Sequence, residues 1–405
     1  MKANNICFMS LSFLPQIGGL VSYIKSFSNY LVQNGAEVQV FSTNSGETSL
    51  ASVDIIDSVR VRRSDSRIKS YFIKAFTPFV MASRIRRHIR DNLSQISDAE
   101  LIVVRHVYYA YALLGFKELE GRAIYLAPLL AHKLEMLNSK GAPWIRRCYG
   151  VLVSFQLYVM EWAVFRFFGH VAVLSDSKKN EIVSAYGLNT SRISVVPPGV
   201  DMDRFMPLRE IESRERLITE LDPEYAGEKI VLTVCRLVEE KNVSELVKAM
   251  SMIKSSAKLY VVGDGPQKRL IELLAAEIGI PVKFFGARND VEKFYRIANC
   301  FVLASFYEGF GHVFLEALSS GCPVVGVKNS PPNSITASEE IIEVGRVGEI
   351  SSSHQAADLA CSINKILENS SVYCSSLCRV HVEERFSWRS HLKSLKVFAE
   401  RKSAA

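Results

Sequence analysis

Short apolar runs alternate with longer amphipathic segments along most of the chain. The first strand pattern, NICFMSLSF, is followed by a glycine turn at Gly18 and Gly19 and by a helix pattern that Gly35 is suited to end. A strand, a crossover helix and a second strand make a right-handed unit of a parallel sheet. Further buried-strand patterns up to residue 200 are EVQVFS, ELIVVRH, RAIYLAP, HVAVLSD and ISVVPPGV.

The same alternation restarts after a polar stretch at about 203–228. Strand patterns occur in KIVLTVC, KLYVVGDG, VKFFG, CFVLAS and PVVGV, with helix patterns between them. A chain of 405 residues exceeds what one core usually serves, and PPGVD at 197–201 is the predicted hinge. The predicted fold class is α/β, with two facing Rossmann-like doubly wound domains and an interdomain cleft. Their predicted bounds are 1–199 and 200–384, followed by a helix in 385–405.

Cysteine usage and apolar runs change this picture little. The eight cysteines are scattered, which favours reduced thiols in a cytosolic protein, and the close pair Cys374 and Cys378 is interpreted as structural. The N-terminal segment MKANNICFMSLSFLP lacks a small-residue cleavage site, so we expect a buried strand there. Glu161 and Arg166 interrupt the apolar stretch 151–168, which predicts a buried or interfacial helix.

Charge is shared unevenly between the two halves. Residues 1–200 carry 23 Lys and Arg against 14 Asp and Glu, whereas the rest carries 26 against 28. Much of the excess lies in residues 60–90, where basic residues are interleaved with Tyr71, Phe72, Phe76, Phe79 and Ile85. This pattern suits an anionic membrane surface, and an ordinary solvated helix face is the alternative. No recognition motif accompanies the charge, so nucleic acid is not a predicted partner.

Candidate chemistry lies where strand patterns end, because ligands of open parallel sheets bind beyond the carboxyl ends of the strands. Gly18 and Gly19 let backbone amides approach an anion closely, although by themselves they are more often a simple tight turn. Arg236 and Lys241 in RLVEEKN are suited to clamp a diphosphate, although surface cations near a helix start are common. His106 ends the pattern ELIVVRH and is as consistent with the core as with a cleft.

Residues 308–316 read EGFGHVFLE, directly after the pattern CFVLAS. Gly309 and Gly311 permit an unusual backbone, and VFLEALSSG then predicts a helix whose first turn offers N–H groups to phosphate. Glu316, about one turn along, is suited to accept two hydrogen bonds from a vicinal diol. Glu308 is then expected next to the group that is attached beyond the phosphate. Carboxylates near a helix start also occur for stability alone, which is the alternative.

Taken in order, these segments resemble a large family of two-domain retaining glycosyltransferases, the family 4 type with the GT-B fold. This family contains bacterial phosphatidylinositol mannosyltransferases and many polysaccharide-assembly enzymes. The segments that carry the resemblance are FLPQIGGLVSYIKSFSNYLVQNGAEVQVFS, SVVPPGVDMDRF, VLTVCRLVEEKNVSELVKAM, LYVVGDGPQKRLIELL, VKFFGARND and FYEGFGHVFLEALSSGCPVVG.

The resemblance implies a role for each candidate residue. Arg236 and Lys241 would bind the nucleotide diphosphate, and Glu316 would hold the ribose hydroxyls. Glu308 would contact hydroxyls of the transferred sugar, with backbone amides near Phe310 and Gly311 seating sugar and phosphate. From the N-terminal domain, Gly18 and Gly19 would approach the phosphates and His106 would lie near the sugar.

The resemblance also implies the reaction and its partners. A hexose-type sugar would pass from a nucleotide-diphosphate sugar to a glycan or lipid-linked acceptor, with retention of anomeric configuration. The predicted pathway is bacterial surface-polysaccharide assembly: O-antigen, capsule or exopolysaccharide. No metal and no cofactor are expected. The predicted location is the cytoplasm, peripheral on the inner face of the cytoplasmic membrane, and the helix in 385–405 would cross back to the N-terminal domain.

Several points stay open. Glu308 suggests a covalent nucleophile, whereas the resemblance favours a same-face reaction in which the leaving phosphate accepts the acceptor's proton. The segment 329–350 lacks the family's proline-glutamate step, which puts the contacts of that loop in doubt.

Three other functions compete with this interpretation. The spacing of Glu308 and Glu316 argues against a nucleotide-sugar epimerase of the same fold. VVGDGP lacks a G-x-G-x-x-G run, which argues against an NAD-dependent dehydrogenase. Intact Arg236 and Lys241, together with the two glutamates, argue against a non-catalytic sugar-nucleotide binder.

Overall fold

A computed structural model describes residues 5–16, 18–44, 50–66, 76–139, 143–209 and 213–400. The chain divides into two units. The N-terminal unit comprises Met1–Pro197 together with Trp388–Ala405, and the C-terminal unit comprises Pro198–Ser387.

The apolar runs of the N-terminal unit form the strands of one sheet, and the amphipathic segments between them form helices. The strands are β1 (Asn5–Met9), β2 (Glu37–Thr43), β3 (Val53–Ile56), β4 (Val59–Ser64), β5 (Leu101–Val104), β6 (Ala123–Leu126), β7 (His170–Val173) and β8 (Ile193–Val195). The helices are α1 (Gly19–Gln33), α2 (Thr77–Asp91), α3 (Leu93–Ser97), α4 (Val107–Leu113), α5 (Lys117–Glu120), α6 (Ala131–Ser139), α7 (Trp144–Phe167) and α8 (Asp176–Tyr186).

The eight-stranded sheet has the order β3-β4-β2-β1-β5-β6-β7-β8. All neighbouring strands are parallel except the β3–β4 pair. The central strand β1 is covered on both faces, and residues 6–9 have no exposed surface. Continuous apolar strands of this kind are typical of parallel sheets with helices on both faces.

The C-terminal unit repeats this construction. Its strands are β9 (Lys229–Val234), β10 (Ala257–Val262), β11 (Val282–Gly286), β12 (Cys300–Val302), β13 (Val324–Val327) and β14 (Gly348–Ser351). Its helices are α9 (Arg214–Leu221), α10 (Val243–Met250), α11 (Lys268–Ile278), α12 (Val291–Ile297), α13 (His312–Ser319), α14 (Ser338–Ile341), α15 (Ala356–Glu368) and α16 (Ser375–Arg385). The strand order β11-β10-β9-β12-β13-β14 is that of a Rossmann sheet, so the predicted α/β doubly wound fold class is confirmed.

The last helix, α17 (Trp388–Glu400), belongs to the N-terminal unit. The Trp388 ring stacks on Phe27 of α1 at a centroid distance of 4.8 Å. His391 forms hydrogen bonds with the Tyr23 hydroxyl at 2.7 Å and with the carbonyl of Pro197 at 2.8 Å. Aromatic stacking and the buried hydrogen bond with Tyr23 therefore fix this helix against α1, and the partly buried bond to Pro197 ties it to the end of the N-terminal segment.

The basic stretch 60–90 is not one element. It contains strand β4 and helix α2. Residues 67–75 between them, which include Tyr71 and Phe72, lie outside the described part of the chain. In α2, Ile85 is fully buried and Phe79 is packed against the core. Because these apolar side chains are occupied by the protein's own core, the structure does not support their predicted contact with a membrane.

The apolar stretch predicted as a buried or interfacial helix lies in α7. Among the described residues, α7 is the one helix that is long and apolar enough to cross a membrane, and half of its most apolar window is buried inside the protein. Val153, Leu157, Met160 and Val164 of α7 belong to the core of the N-terminal unit. Glu161 is also buried, and it accepts hydrogen bonds from His132 and Tyr186. One face of α7 is therefore a core face.

A buried carboxylate holds α9 to the edge of the C-terminal sheet. Asp222, at the end of α9, has no exposed surface and accepts hydrogen bonds of 2.7 Å from each of Lys258, Tyr260 and Lys283. Burial by itself raises the pKa of Asp222, but the hydrogen bonds from the two lysines and the tyrosine outweigh it and hold that pKa well below its usual value.

We expect Asp222→Asn to lower the stability of the C-terminal unit by roughly 3 kcal/mol, because it leaves two lysines around a neutral side chain. Thermal and urea unfolding of the wild-type protein and the variant measures this loss. The difference in their free energies of unfolding should have its full size above the usual pKa of an aspartate and should shrink as the pH falls through the lowered pKa of Asp222. Glu220→Gln, which breaks an exposed pair with Lys293 at 2.9 Å, is the matched control and should cost about 1 kcal/mol or less. Equal losses in the two variants would contradict a structural role for Asp222.

Candidate active site

The candidate residues of the C-terminal unit lie where two neighbouring parallel strands end. β9 pairs with β10 on one side and with β12 on the other, so the chain leaves these central strands in opposite directions. Such a switch point opens a crevice at the carboxyl ends of the strands, where open α/β sheets bind their ligands. The loop after β9 carries Arg236 and Lys241, and the loop after β12 carries Glu308.

An ion pair joins these two loops. The Lys241 ammonium donates a hydrogen bond to Oε2 of Glu308, and the two side chains are only 16% and 17% exposed. Burial opposes the charge on Lys241, but the attraction and the hydrogen bond of Glu308 raise the pKa of Lys241 above its usual value. The other oxygen of Glu308, Oε1, accepts the backbone N–H of Gly309 at 3.0 Å. Both carboxylate oxygens are therefore held in a fixed direction.

Arg236 lies on the solvent side of the same crevice. Its side chain is 62% exposed, and its guanidinium lies 3.6 Å from the carboxylate of the buried Glu240. The backbone carbonyl of Glu240 accepts the N–H of Phe306 at 3.1 Å. The loop that presents Arg236 is thus bonded to the loop that presents Glu308, while the guanidinium remains accessible to a ligand.

Two glycines in the loop after β10 hold the Arg236 loop in place. A Cβ atom would lie 1.8 Å from the carbonyl oxygen of Cys235 if built at Gly263, and 2.4 Å from that of Leu237 if built at Gly265. Leu237 donates its N–H to the carbonyl of Asp264 at 2.9 Å. Only glycine permits this close approach. The sequence signal is GDG within VVGDGP, whose pattern by itself indicates only a weak dinucleotide motif and gives no sign of its contact with the Arg236 loop.

The loop after β12 leads directly into α13. Gly311 has φ of +89°, and a Cβ there would lie 2.9 Å from the Phe314 ring, so both the backbone angle and the space require glycine. The Phe310 side chain is buried and its ring lies 6.0 Å from that of Phe386. The first turn of α13 begins at His312, and the positive end of its dipole points toward this loop.

Glu316 lies within α13 and is partly buried. Oε2 of Glu316 accepts a hydrogen bond of 3.0 Å from the Tyr295 hydroxyl. Burial raises the pKa of Glu316, and this effect prevails over the hydrogen bond from Tyr295 and the attraction of Arg204. Tyr295, on α12, had no signal in the sequence beyond its place in the pattern VEKFYRIAN.

The segment 329–350, whose contacts were in doubt, lies against the loop of Glu308. Ile335 pairs with Tyr307 in a parallel bridge, accepts the N–H of Glu308 at 2.9 Å and donates to the carbonyl of Phe306 at 2.8 Å. All of these contacts are between backbone atoms. They do not depend on a side-chain motif, which explains why the sequence did not reveal them.

The candidate residues of the N-terminal unit also lie at one sheet edge. β1 and β5 are parallel neighbours, with Met9 opposite Val104, so the turn at Gly18 and Gly19 and residue His106 both follow carboxyl ends. Among the described residues, no heavy atom lies within 4 Å of a Cβ built at either glycine, and neither has a left-handed φ. Neither packing nor backbone strain therefore requires glycine at this turn.

His106 has a local structural role. It is the N-cap of α4, and its Nδ1 accepts the backbone N–H of Tyr108 at 3.2 Å. Burial lowers the pKa of His106 to about 4, so the imidazole is neutral near pH 7. Because Nδ1 is an acceptor, the ring proton resides on Nε2.

Metal-ligating side chains do not cluster in the part of the chain that the structure describes. No group of three or more His, Cys, Asp or Glu side chains there is arranged to hold an ion. The eight cysteines are free thiols, four of them buried. Absence of a metal requirement remains a prediction.

Comparisons with known proteins cover nearly the whole chain. A Glycosyltransferase Family 4 model matches residues 17–204, and a Glycosyl transferases group 1 model matches residues 218–379. The chain is 25% identical over 395 residues to a GDP-mannose-dependent monoacylated alpha-(1-6)-phosphatidylinositol monomannoside mannosyltransferase of Corynebacterium glutamicum, covering 93% of this chain and 92% of that protein.

Solved structures share the fold along the full length. Sucrose-phosphate synthase from Thermosynechococcus elongatus superposes with a TM-score of 0.77 at 19% identity, covering 99% of this chain and 100% of that one. Anabaena HepE in complex with UDP-glucose gives a TM-score of 0.72 at 20% identity, with the same coverage. The two family domains, in this order on two Rossmann-like units, show that the chain belongs to the family 4 glycosyltransferases with the GT-B fold.

Proposed function

We propose that this glycosyltransferase transfers a hexose-type sugar from a nucleoside-diphosphate sugar to a glycan or lipid-linked acceptor and retains the anomeric configuration. The observation that carries the proposal is the meeting of Lys241, Glu308 and the start of α13 at one switch point. A cation and a helix N-terminus are what a diphosphate leaving group requires, and a carboxylate beside them is what a sugar hydroxyl requires.

The diphosphate is assigned to Arg236, Lys241 and the first turn of α13. Lys241 has three donors, one of which is directed at Glu308, and the exposed guanidinium of Arg236 is suited to a bidentate contact with phosphate. Backbone amides near Phe310 and Gly311 are assigned to the sugar and the second phosphate.

The ribose is assigned to Glu316. A carboxylate with two acceptor oxygens matches the two hydroxyls of a ribose, and the bond from Tyr295 fixes the carboxylate without occupying Oε1. The raised pKa of Glu316 is consistent with a carboxylate that is partly removed from water and that gains its further hydrogen-bond partners from the ligand.

Glu308 is assigned to hydroxyls of the transferred sugar and not to nucleophilic attack. Its two oxygens are already engaged by Lys241 and by the N–H of Gly309, which orients the carboxylate and lowers its nucleophilicity. We therefore favour the same-face route. The bond from the anomeric carbon to the leaving phosphate oxygen breaks, a bond to the acceptor oxygen forms on the same face, and the acceptor's proton passes to the leaving phosphate.

The N-terminal unit is assigned to the acceptor side. Gly18 and Gly19 keep an open backbone that a phosphate can approach, and neutral His106 is suited to donate Nε2–H to a hydroxyl of the sugar. The pathway that we propose is bacterial surface-polysaccharide assembly in the cytoplasm, with a lipid-linked acceptor. Membrane contact through residues 60–90 stays a prediction, without a contribution from the core residue Ile85, whereas Phe76 is 54% exposed.

A donor screen tests the proposed function. Two of the three proteins compared above differ in donor, since the mannosyltransferase is named for GDP-mannose and HepE is bound to UDP-glucose. Thermal shifts measured with UDP-, GDP-, ADP- and dTDP-sugars should single out one donor, because binding stabilises the folded protein by mass action. Transfer assays with that donor should give a product of unchanged anomeric configuration. Epimer formation without an acceptor would point to the epimerase alternative, and failure of every donor to bind would refute the proposal.

We expect activity to survive EDTA, because cationic side chains and a helix end take the place of a divalent ion at the leaving group. The initial rate is measured before and after dialysis against EDTA, and again after Mg²⁺ or Mn²⁺ is restored. A strict requirement for added metal would contradict the proposed role of Arg236 and Lys241.

Glu316→Ala should weaken binding of the donor and of its free nucleoside diphosphate, because the ribose hydroxyls lose their acceptor. Titration calorimetry measures both affinities. In the wild-type protein the affinity should also fall as the pH drops through the raised pKa of Glu316, and this limb should be absent from Glu316→Gln. Tyr295→Phe keeps the carboxylate and is the matched control, with a smaller loss. Unchanged nucleotide affinity in Glu316→Ala would exclude the ribose role.

Lys241→Ala should lower kcat/KM. The corresponding loss of transition-state stabilisation should be about 2–4 kcal/mol, as expected for the loss of one preorganised charged donor. Steady-state kinetics with the identified donor measures the change. Lys248→Ala removes a lysine of α10 that pairs with Glu245 at 2.7 Å, and it serves as the control with near-normal kinetics. If both variants show the same kinetics, Lys241 does not contact the leaving group.

A further inference from the structure

Helix α7 has a second apolar face, which is exposed. Half of the twenty exposed large hydrophobic residues in the described part of the chain belong to this one helix, and their exposures run from 37% to 74%. They are Trp144, Ile145, Tyr149, Val151, Leu152, Phe155, Tyr158, Val159, Trp162 and Phe167. Single exposed apolar residues are ordinary, but a contiguous patch of this size marks an interaction surface.

The exposed residues form a stripe along the helix axis. Trp144, Val151, Phe155, Val159 and Trp162 follow one another at spacings of three, four or seven residues, which places them on one side of an α-helix. The opposite side is the core face. With 24 residues, α7 is about 36 Å long, so the stripe runs over most of the diameter of a small domain.

The helix cannot leave the domain to span a bilayer without destroying its own core. The carboxylate of Glu161 on the core face accepts hydrogen bonds from His132 at 2.7 Å and from Tyr186 at 2.8 Å. The apolar core residues of α7 would also lose their packing. The exposed stripe is therefore available to a surface that the domain approaches from outside.

Charge selects the kind of surface. Arg146 and Arg147 are exposed in the first turn of α7, and Arg166 is exposed in its last turn. Within the described span 144–167, Glu161 is the one acidic residue and it is buried. Glu135 of α6 is close enough to Arg146 to offset part of its charge. An apolar stripe with a cation at each end matches acyl chains flanked by anionic headgroups.

The aromatic residues fit the same surface. Trp144 lies at the start of the stripe and Trp162 near its end, and the Arg166 guanidinium lies 6.0 Å from the Trp162 ring. Tryptophan prefers the boundary between headgroups and acyl chains because its ring is apolar while its N–H requires a polar partner.

A second copy of the chain fits this face less well than a bilayer. A two-fold axis perpendicular to the helix would pair the two copies of α7 antiparallel and bring Arg146 and Arg147 of one copy against Arg166 of the other. A two-fold axis parallel to the helix would pair them in parallel and bring the two pairs of first-turn arginines together. Neither arrangement offers an exposed carboxylate of α7 to offset the repulsion. We propose that the exposed face of α7 binds an anionic bilayer surface, with the helix axis parallel to the membrane plane.

Vesicle binding of the full-length protein tests this proposal without any substrate. The protein should sediment with vesicles of phosphatidylcholine mixed equally with phosphatidylglycerol, bind less to pure phosphatidylcholine, and lose part of its binding as salt is raised. Tryptophan emission should shift to the blue on binding. The chain has three tryptophans and Trp388 is buried, so the shift should be reduced in Trp144→Phe and in Trp162→Phe.

Surface variants identify the face. Val151→Ser with Phe155→Ser should reduce vesicle binding roughly tenfold or more for each large side chain removed, and Arg146→Gln with Arg147→Gln should reduce binding to anionic vesicles selectively. Leu270→Ser with Leu273→Ser, on α11 and similarly exposed at 56% and 54%, is the matched control and should bind vesicles normally. Thermal unfolding should be unchanged in all three, since the replaced side chains are exposed.

The outcomes separate this proposal from the proposed function. Normal nucleotide binding by the Val151 and Phe155 variant, measured without lipid, shows that the site in the C-terminal unit is intact. Equal vesicle binding by that variant and the wild-type protein would overturn the proposal. So would a lipid-free dimer that the same substitutions dissociate, because a second copy would then be what covers α7.

Discussion

The site of the C-terminal unit depends on one constraint of the sheet. Where two neighbouring parallel strands have connections that leave in opposite directions, the loops at their carboxyl ends lie side by side. β9 and β12 are such a pair, and their loops carry Lys241 and Glu308. The ion pair and the backbone bond between Glu240 and Phe306 join the loops. Because both charges are largely removed from water, Glu308 favours the ionised form of Lys241, and neither side chain is released from the crevice without a cost.

Much of this arrangement follows from local sequence patterns. Continuous apolar strands, amphipathic helices and glycines before helix starts predicted the doubly wound fold, and the strand ends suggested Arg236, Lys241 and Glu308 as candidate residues. What the patterns do not contain is contact between loops distant in sequence. The close approach of Gly263 and Gly265 to the loop after β9, and the backbone pairing of Ile335 with Tyr307, have no periodicity and depend on the folded sheet.

Periodicity also cannot say what an apolar face contacts. The stretch 60–90 combines basic and apolar residues as a membrane-binding helix does, yet Ile85 is in the core. Helix α7 is apolar on almost every side, which reads as a buried helix, yet only one side is buried. Both faces of α7 satisfy the same hydropathy criterion, and the difference is set by which side the sheet covers. The antiparallel hairpin of β3 and β4 was missed for a related reason, since the exposed positions of an edge strand dilute its apolar signal.

The charges around the switch point bear on how a donor is recognised. Arg236 and Lys241 are balanced by Glu240 and Glu308, so these four side chains have no net charge between them. The proposed binding of a nucleoside diphosphate therefore does not depend on an excess of cations among these side chains. In the proposed function its phosphates would be met by donors with fixed directions: the ammonium of Lys241, oriented by Glu308, and the amides at the start of α13. Preorganised donors stabilise charge that develops on a leaving group without rearranging during the reaction. The same ion pair that joins the two loops thus orients the cation on which the proposed chemistry depends.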